Sequence, residues 1–391
     1  MITKWGNGMS ENFDFGVEEE YFIFQRHDGN IKTSMSSLFF DNAKAVLGKA
    51  VTPELLQSQI EVATSPCQTM KQARRQLQEF RGTLHDIGGR YGLGILAAGT
   101  HPTAEWSEQR PTDLRRYDRV THDLQIVARR KMICGTHVHV AVPEWVSRVD
   151  LMVRMLPFVP LLLALSTSSP FWQSRRTGLM SYRQALYAEL PRSGLPDLFQ
   201  GEEDYDAYVA ALVDNRIIND ASSIWWAVRP SLQYPTLELR IADSCTHLDD
   251  VLAIAALYRC LVRRLCLDPL VGAGLGPAER GIIEENKWRA QRYGCHGSLI
   301  DIDSGEVVSV AAALESVLDL LAGDARVLGC TAELQAARLI PERGTSADGQ
   351  LAVYSACLSH GDTPAAALHA VLHWLAETTV QRSFTPATCA A

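Results

Sequence analysis

What these 391 residues lack narrows the field first. No long Lys/Arg block occurs in a chain with 37 basic and 45 acidic side chains, and a net charge of −8 argues against nucleic acid or a membrane surface as partner. Small substrates are expected instead. No long hydrophobic run is present either: the most apolar stretch, 156–165, is about half a membrane span and contains Pro157 and Pro160. Residues 1–15 have no apolar segment of the kind a cleavable signal needs, and they already carry Lys4, Glu11 and Asp14. The nine cysteines are odd in number, scattered and without a CxxC, so neither a disulfide framework nor a thiolate metal site is indicated. Reduced thiols in a cytoplasmic protein are expected. There is no Walker GxxxxGK[ST] and no kinase GxGxxG, which disfavours both of those nucleotide-binding architectures. No repeat or low-complexity linker divides the chain, so one catalytic unit is expected over 12–383, with loosely ordered tails at 1–11 and 384–391.

What is there reads as globular, with 47% hydrophobic and 21% charged residues. The periodicity predicts strands at 15–25, 57–64, 94–99, 134–142, 223–230 and 236–242. It predicts helices at 68–91, where Ala73, Leu77, Phe80, Leu84 and Ile87 recur at helical spacing, and at 249–267, apolar nearly all round. The last third reads as mostly helical, with 307–321 and 364–379 its clearest elements. Strands gathered early with helices between and after them predict an α+β fold, one sheet face covered and the other free for chemistry.

Several of these strands carry ionisable groups on one face. In Gly16-Val17-Glu18-Glu19-Glu20-Tyr21, alternation puts Glu18 and Glu20 on one side and Val17 and Glu19 on the other. Two carboxylates so placed repel each other unless a cation sits between them, and oxygen-rich sites suit Mg²⁺ or Mn²⁺. Taken alone, the pair reads more readily as a solvated strand face. Glu61 shares its side with Gln57 and Gln59, opposite Ile60 and Val62; His137 and His139 lie opposite Val138 and Val140; Glu238 and Arg240 lie opposite Leu237, Leu239 and Ile241. Four strands thus pair a greasy face with one bearing carboxylates and histidine, the pattern of a cation-binding floor. Arg183, Arg229, Arg240 and Arg292 are available to neutralise phosphate or carboxylate. Carboxylate-held Mg²⁺ with several arginines is the equipment of phosphoryl transfer from a nucleotide.

Nine segments in order, GVEEEYFI (16–23), QSQIEVATSP (57–66), GTHP (99–102), GTHVHV (135–140), SSPFWQ (168–173), TGLMSYR (177–183), WWAVRPS (225–231), TLELRIAD (236–243) and ENKWRAQRYG (285–294), resemble the glutamate-cysteine ligase type 2 family of carboxylate-amine ligases. The resemblance implies a glutamine synthetase/guanido kinase-like fold: a curved antiparallel sheet with an open catalytic face and helices packed on the other. It implies ATP and Mg²⁺ (or Mn²⁺), glutamate and an amine such as cysteine as substrates, and a homodimer. By the same resemblance Glu18, Glu20, Glu61, His137 and Glu238 match metal ligands, and Arg240, Arg229 and Arg292 match catalytic cations. Arg183, Asn286, His139, Thr136 and His101 match substrate or nucleotide contacts. One departure is visible: where the family usually has an acid within WWDxRP this chain has Ala227, and alternation places it on the face of Arg229.

Three readings besides γ-glutamylcysteine formation stay open at this point. A second ligase reading keeps the acyl phosphate and takes a different amine; a phosphagen-type kinase would want a reactive cysteine, for which Cys245 is the one just after a site strand; an inactive paralogue would be expected to have lost metal carboxylates, and all are present.

Overall fold

A computed structural model describes residues 13–31, 37–114 and 121–381. The tails predicted at 1–11 and 384–391 lie outside the described residues. The main sheet has seven strands: β1 (Phe15–Gln25), β2 (Val51–Pro53), β3 (Gln59–Ala63), β4 (Leu93–Leu96), β5 (Thr136–Ala141), β6 (Val228–Pro230) and β7 (Thr236–Leu239). All pairings are antiparallel and run β6-β7-β5-β1-β3-β2. β1 is long enough to pair twice along one edge, through residues 15–19 with β5 and through 22–25 with β4.

One sheet face is covered by helices, as the alternation requires. Phe15, Val17, Tyr21 and Ile23 of β1 join Ile60, Val62, Val138, Val140, Leu237 and Leu239 in the large core. Against them pack α1 (Met70–Gly89) and α2 (Leu248–Leu267), the latter buried along most of its circumference. α1 starts on a full capping box, Thr69 accepting from the Gln72 N–H while Gln72 reaches back, which fixes where the strand-to-helix turn ends. The Arg148–Ser166 stretch is long and apolar enough to cross a membrane, yet 78% of its apolar window is buried inside the fold.

The opposite face is open only in part. Phe22 and Phe24, at the far end of β1, lie in a second core with Leu96, Phe171, Trp172, Tyr187 and the apolar side of α5 (Pro364–Val380). Polar residues of the same face, Glu18 and Glu20, stay uncovered. Two predicted elements split. The expected 223–230 strand breaks at Ala227, because Trp225–Trp226 pairs with Ser193–Gly194 whereas Val228–Pro230 pairs with β7. The expected 307–321 helix begins as a strand, Val307–Ser309, paired with Ser298–Ile300, and turns helical at Val310, where Ser309 caps it.

Candidate active site

Register brings the ionisable residues into one diagonal across five strands. Arg229 lies opposite Glu238, Glu238 opposite His139, Glu18 opposite His137, and Glu20 opposite Glu61. Directly paired residues of an antiparallel ladder project to the same side, so all of them share the open face. They floor a cavity of about 330 Å³, joined by Glu54, Lys131 and Arg240, with Ser222 and residues 231–234 along its wall.

Charge is segregated along this cavity. At one end Glu18, Glu20, Glu54 and Glu61 crowd together. Burial, with Glu18, Glu54 and Glu20 nearby, pushes the Glu61 carboxyl well above the usual range, so it is short of positive charge. Glu20 accepts the Gly135 N–H at 2.6 Å. At the other end Arg229 Nε donates to Glu238 at 2.7 Å and Arg240 binds the same carboxylate; burial opposes its charge, but Arg229 and then Arg240 hold it well below the carboxylate range. Arg240 also reaches the Tyr187 hydroxyl, 3.4 Å from both its Nε and an Nη.

The histidines stand between the two ends. His139 Nδ1 is 3.1 Å from the Thr236 hydroxyl, while its Nε2 faces Glu18 at 3.4 Å and Glu238 at 3.8 Å. His137 Nδ1 is 3.4 Å from Glu18. The Nε2 atoms of both rings are buried without a hydrogen-bond partner. Donor atoms of Glu18, His139 and Glu238 all lie within 4.8 Å of one another. Orphaned imidazole nitrogens beside excess carboxylate fit a divalent cation. Glu238, expected among the metal ligands, belongs to that cluster while two guanidiniums also engage its carboxylate.

Other expected site residues are not brought to this cavity. Thr136 projects to the covered face, where its hydroxyl accepts the Cys245 N–H at 3.2 Å. His101 is fully buried in front of the Phe22 edge. Asn286 is buried and pairs both its amide atoms with the Ile300 backbone at 2.7 Å. Arg292 lies over the Tyr293 ring. Arg183 is buried and donates to the carbonyls of Arg240 and Ile241, which fixes the exit of β7 below the cavity. Ala227, expected beside Arg229, is buried in the large core and does not line the cavity, because the strand breaks there. Cys245 is buried and absent from the lining, and burial raises its thiol pKa well above normal, so it is not the reactive cysteine beside the substrate that a guanidino kinase would want.

Support residues explain the motif glycines. A Cβ on Gly135 would sit 2.4 Å from an Arg183 Nη, and one on Gly99 would sit 2.6 Å from the Asp243 carboxylate. Asp243, on which the sequence reading placed no role, is buried and accepts from the Ser168 N–H (3.0 Å), Ser169 Oγ (2.7 Å) and Ser181 Oγ (2.8 Å). Behind the floor, Glu19 is buried between the Tyr21 hydroxyl and Arg81 of α1. Arg81 also donates to the carbonyls of Cys245 (2.9 Å), Thr246 (2.7 Å) and Thr379 (3.0 Å). Glu54 and Lys131 were likewise missed: neither belongs to an alternating strand, so no periodicity marks them.

Known proteins agree with this architecture. The family model for glutamate-cysteine ligase family 2 (GCS2) matches residues 14–379. A protein named "Putative glutamate--cysteine ligase 2" from Bradyrhizobium diazoefficiens is 43% identical over 375 residues, 96% of this chain and 86% of its own. One of the same name from Rhodospirillum rubrum is 45% identical over 371 residues, 94% of this chain and 95% of its own. Among solved structures, a glutamate–cysteine ligase from Francisella tularensis in complex with AMP superposes with a TM-score of 0.70 at 12% identity, covering 94% of this chain and 89% of that one. A bifunctional glutathione synthetase from Pasteurella multocida gives 0.68 at 17% identity, covering 94% of this chain and 52% of that one. At these identities the structures establish a shared fold. The relatives and the floor together define an enzyme of the carboxylate–amine ligase class. The chain belongs to glutamate-cysteine ligase family 2.

Proposed function

We propose that the protein joins the γ-carboxylate of glutamate to an amine, with cysteine as the acceptor, through a γ-glutamyl phosphate made from ATP. The observation that carries this reading is the division of one cavity into an acid-and-imidazole end and a two-arginine end. Such a division suits a polyphosphate: Glu18, Glu20 and Glu61, with the free Nε2 atoms of His137 and His139, would hold Mg²⁺ (or Mn²⁺), and Arg229 and Arg240 would face the transferred phosphoryl group. The metal, when bound, neutralises phosphate charge.

The carboxylate oxygen of glutamate attacks the γ-phosphorus of ATP, ADP leaves, and a mixed anhydride results. The amine nitrogen then attacks the carbonyl carbon of that anhydride, the C–O bond to phosphate breaks, and phosphate departs with the electron pair while the amine's proton passes to it. A bare carboxylate could not be displaced this way, because oxide is a poor leaving group. Glu238 acts by fixing two guanidiniums at hydrogen-bond distance, so their positive charge is preorganised where phosphoryl charge develops. Tyr187 backs Arg240 from the other side. The walls come from the 3₁₀ turn at 221–223 and the loop at 231–234 and limit which amine enters.

Incubation with ATP, Mg²⁺, glutamate and hydroxylamine tests the acyl phosphate. Trapped glutamyl hydroxamate with ADP is expected; ATP-dependent phosphorylation of a guanidino compound without hydroxamate, or no turnover, would overturn the reading. A panel of amines scored by ADP release then ranks cysteine against other acceptors.

A further inference from the structure

A second donor cluster lies outside the cavity, where α3 (Pro277–Tyr293) ends and α4 (Ser346–Ser359) begins. Cys295 and His296 sit in the single 3₁₀ turn that follows α3, and Asp348 is the third residue of α4. The Cys295 Sγ lies 3.6 Å from one Asp348 oxygen, and His296 Nε2 lies 3.4 Å from the other. One ligand atom from each of the three falls within 4.8 Å of the rest. We propose that Cys295, His296 and Asp348 form a binding site for a thiophilic divalent cation of the Zn²⁺ type.

The argument is geometric and chemical. A tetrahedral ion with ligands at about 2.0–2.3 Å holds its donor atoms roughly 3.3–3.8 Å apart; the His296 Nε2–Asp348 Oδ1 pair at 3.4 Å already falls in that range, and Cys295 Sγ lies 3.6 Å from the other oxygen of the same carboxylate. Thiol, imidazole and carboxylate form the mixed set that Zn²⁺ accepts and that Mg²⁺ does not seek. The carboxylate has divided duties. Its Oδ2 takes the N–H and hydroxyl of Thr345 at 2.8 and 3.0 Å, completing the helix cap and fixing the group's orientation, while Oδ1 faces His296. Cys295 is buried, whereas 58% of the His296 side chain is exposed, so the ring can close the third edge and a fourth position opens to water. An ion here would tie together segments 53 residues apart, clamping the end of α3 to the C-terminal helices. The site stands apart from the catalytic reading, since the cavity lining holds no sulfur ligand.

That difference makes the site separately observable. The full chain, stripped of metal with a chelator, is titrated with Co²⁺, whose thiolate-to-metal charge-transfer absorption reports sulfur ligation that the carboxylate floor cannot give. One equivalent of Co²⁺ should produce the band, and Zn²⁺ should displace it. Cys295→Ser should abolish it. His296→Ala removes an exposed side chain and leaves the cap intact; it should weaken Co²⁺ binding by more than about tenfold and cancel the rise in Tm that Zn²⁺ gives the unaltered protein. Absence of the band at one equivalent, its survival in C295S, or unchanged Co²⁺ affinity in H296A would each overturn the site.

Discussion

Glu61 is where the demands of stability and of chemistry diverge. Its carboxyl is pushed up by burial and by Glu18, Glu54 and Glu20, so in the metal-free protein its charge is a liability. Glu61→Gln should therefore leave the metal-free Tm unchanged or raise it, by a shift worth about 1 kcal/mol, while ADP formation with glutamate falls by about 100-fold or more. Calorimetry in chelator and an ADP assay read the two effects; intact ADP formation would remove Glu61 from the metal floor. Gly135 shows the opposite economy, in which one missing atom makes room for a buried guanidinium. In Gly135→Ala the new Cβ would meet Arg183 at 2.4 Å, and Arg183 is pinned by three carbonyl contacts. A loss of about 1–3 kcal/mol in urea unfolding is expected, with a fall in ADP formation because Arg183 sets the exit of β7. Both residues lie in segments whose spacing made them conspicuous, yet only coordinates reveal that one is repelled and the other is in contact.

At the scale of elements, β1 was the most legible part of the chain. Alternation alone separated Glu18 and Glu20 from Val17 and Glu19, and its observed span, Phe15–Gln25, coincides with the expected one. What alternation could not supply is the partner of Glu19, because Arg81 comes from a helix 62 residues away. The expected 223–230 strand breaks through a change of partner at Ala227, which no local pattern encodes. Arg183, Asn286 and His101 enter as contact residues through the family resemblance; in the fold Arg183 and Asn286 donate to backbone carbonyls and His101 Nδ1 accepts a backbone N–H. The Glu19–Arg81 pair gives this scale its own prediction. Arg81→Met leaves a carboxylate at 0% exposure with only the Tyr21 hydroxyl, and should cost about 3–5 kcal/mol. Glu19→Leu combined with Arg81→Met should recover part of that loss, since the stranded charge is gone while three carbonyls stay unpaired. A double-mutant cycle from urea unfolding should give a coupling of about 2 kcal/mol or more; additive losses would show that the pair is not a unit.

Across the whole molecule, the sheet is buried on one face along its length and on the other only at the far end of β1. The second cover was not foreseen, because its apolar residues come from β1, β4, the 171–190 region and α5, each too short a contribution to announce a core. His101 belongs to that cover. It is fully buried, its Nδ1 accepts the Ala104 N–H at 3.2 Å, and its ring meets Phe22 edge-on at 5.7 Å. Burial pushes its pKa down to about 3, so it stays neutral in the folded chain at any pH above that. In the unfolded chain the same imidazole takes up a proton near its ordinary pKa of about 6.5. Between those two values the unfolded state binds more protons, so stability falls as the pH is lowered through that window and not as it is raised. From pH 7 to pH 5 this one group should cost about 2 kcal/mol. In His101→Asn the amide oxygen can replace Nδ1 as acceptor without titrating. Urea unfolding at the two pH values should then show an acid-induced loss about 2 kcal/mol smaller than in the unaltered protein, whatever the variant's stability at pH 7. An identical loss in both proteins would mean that His101 gains its proton while folded, and that the second core admits water.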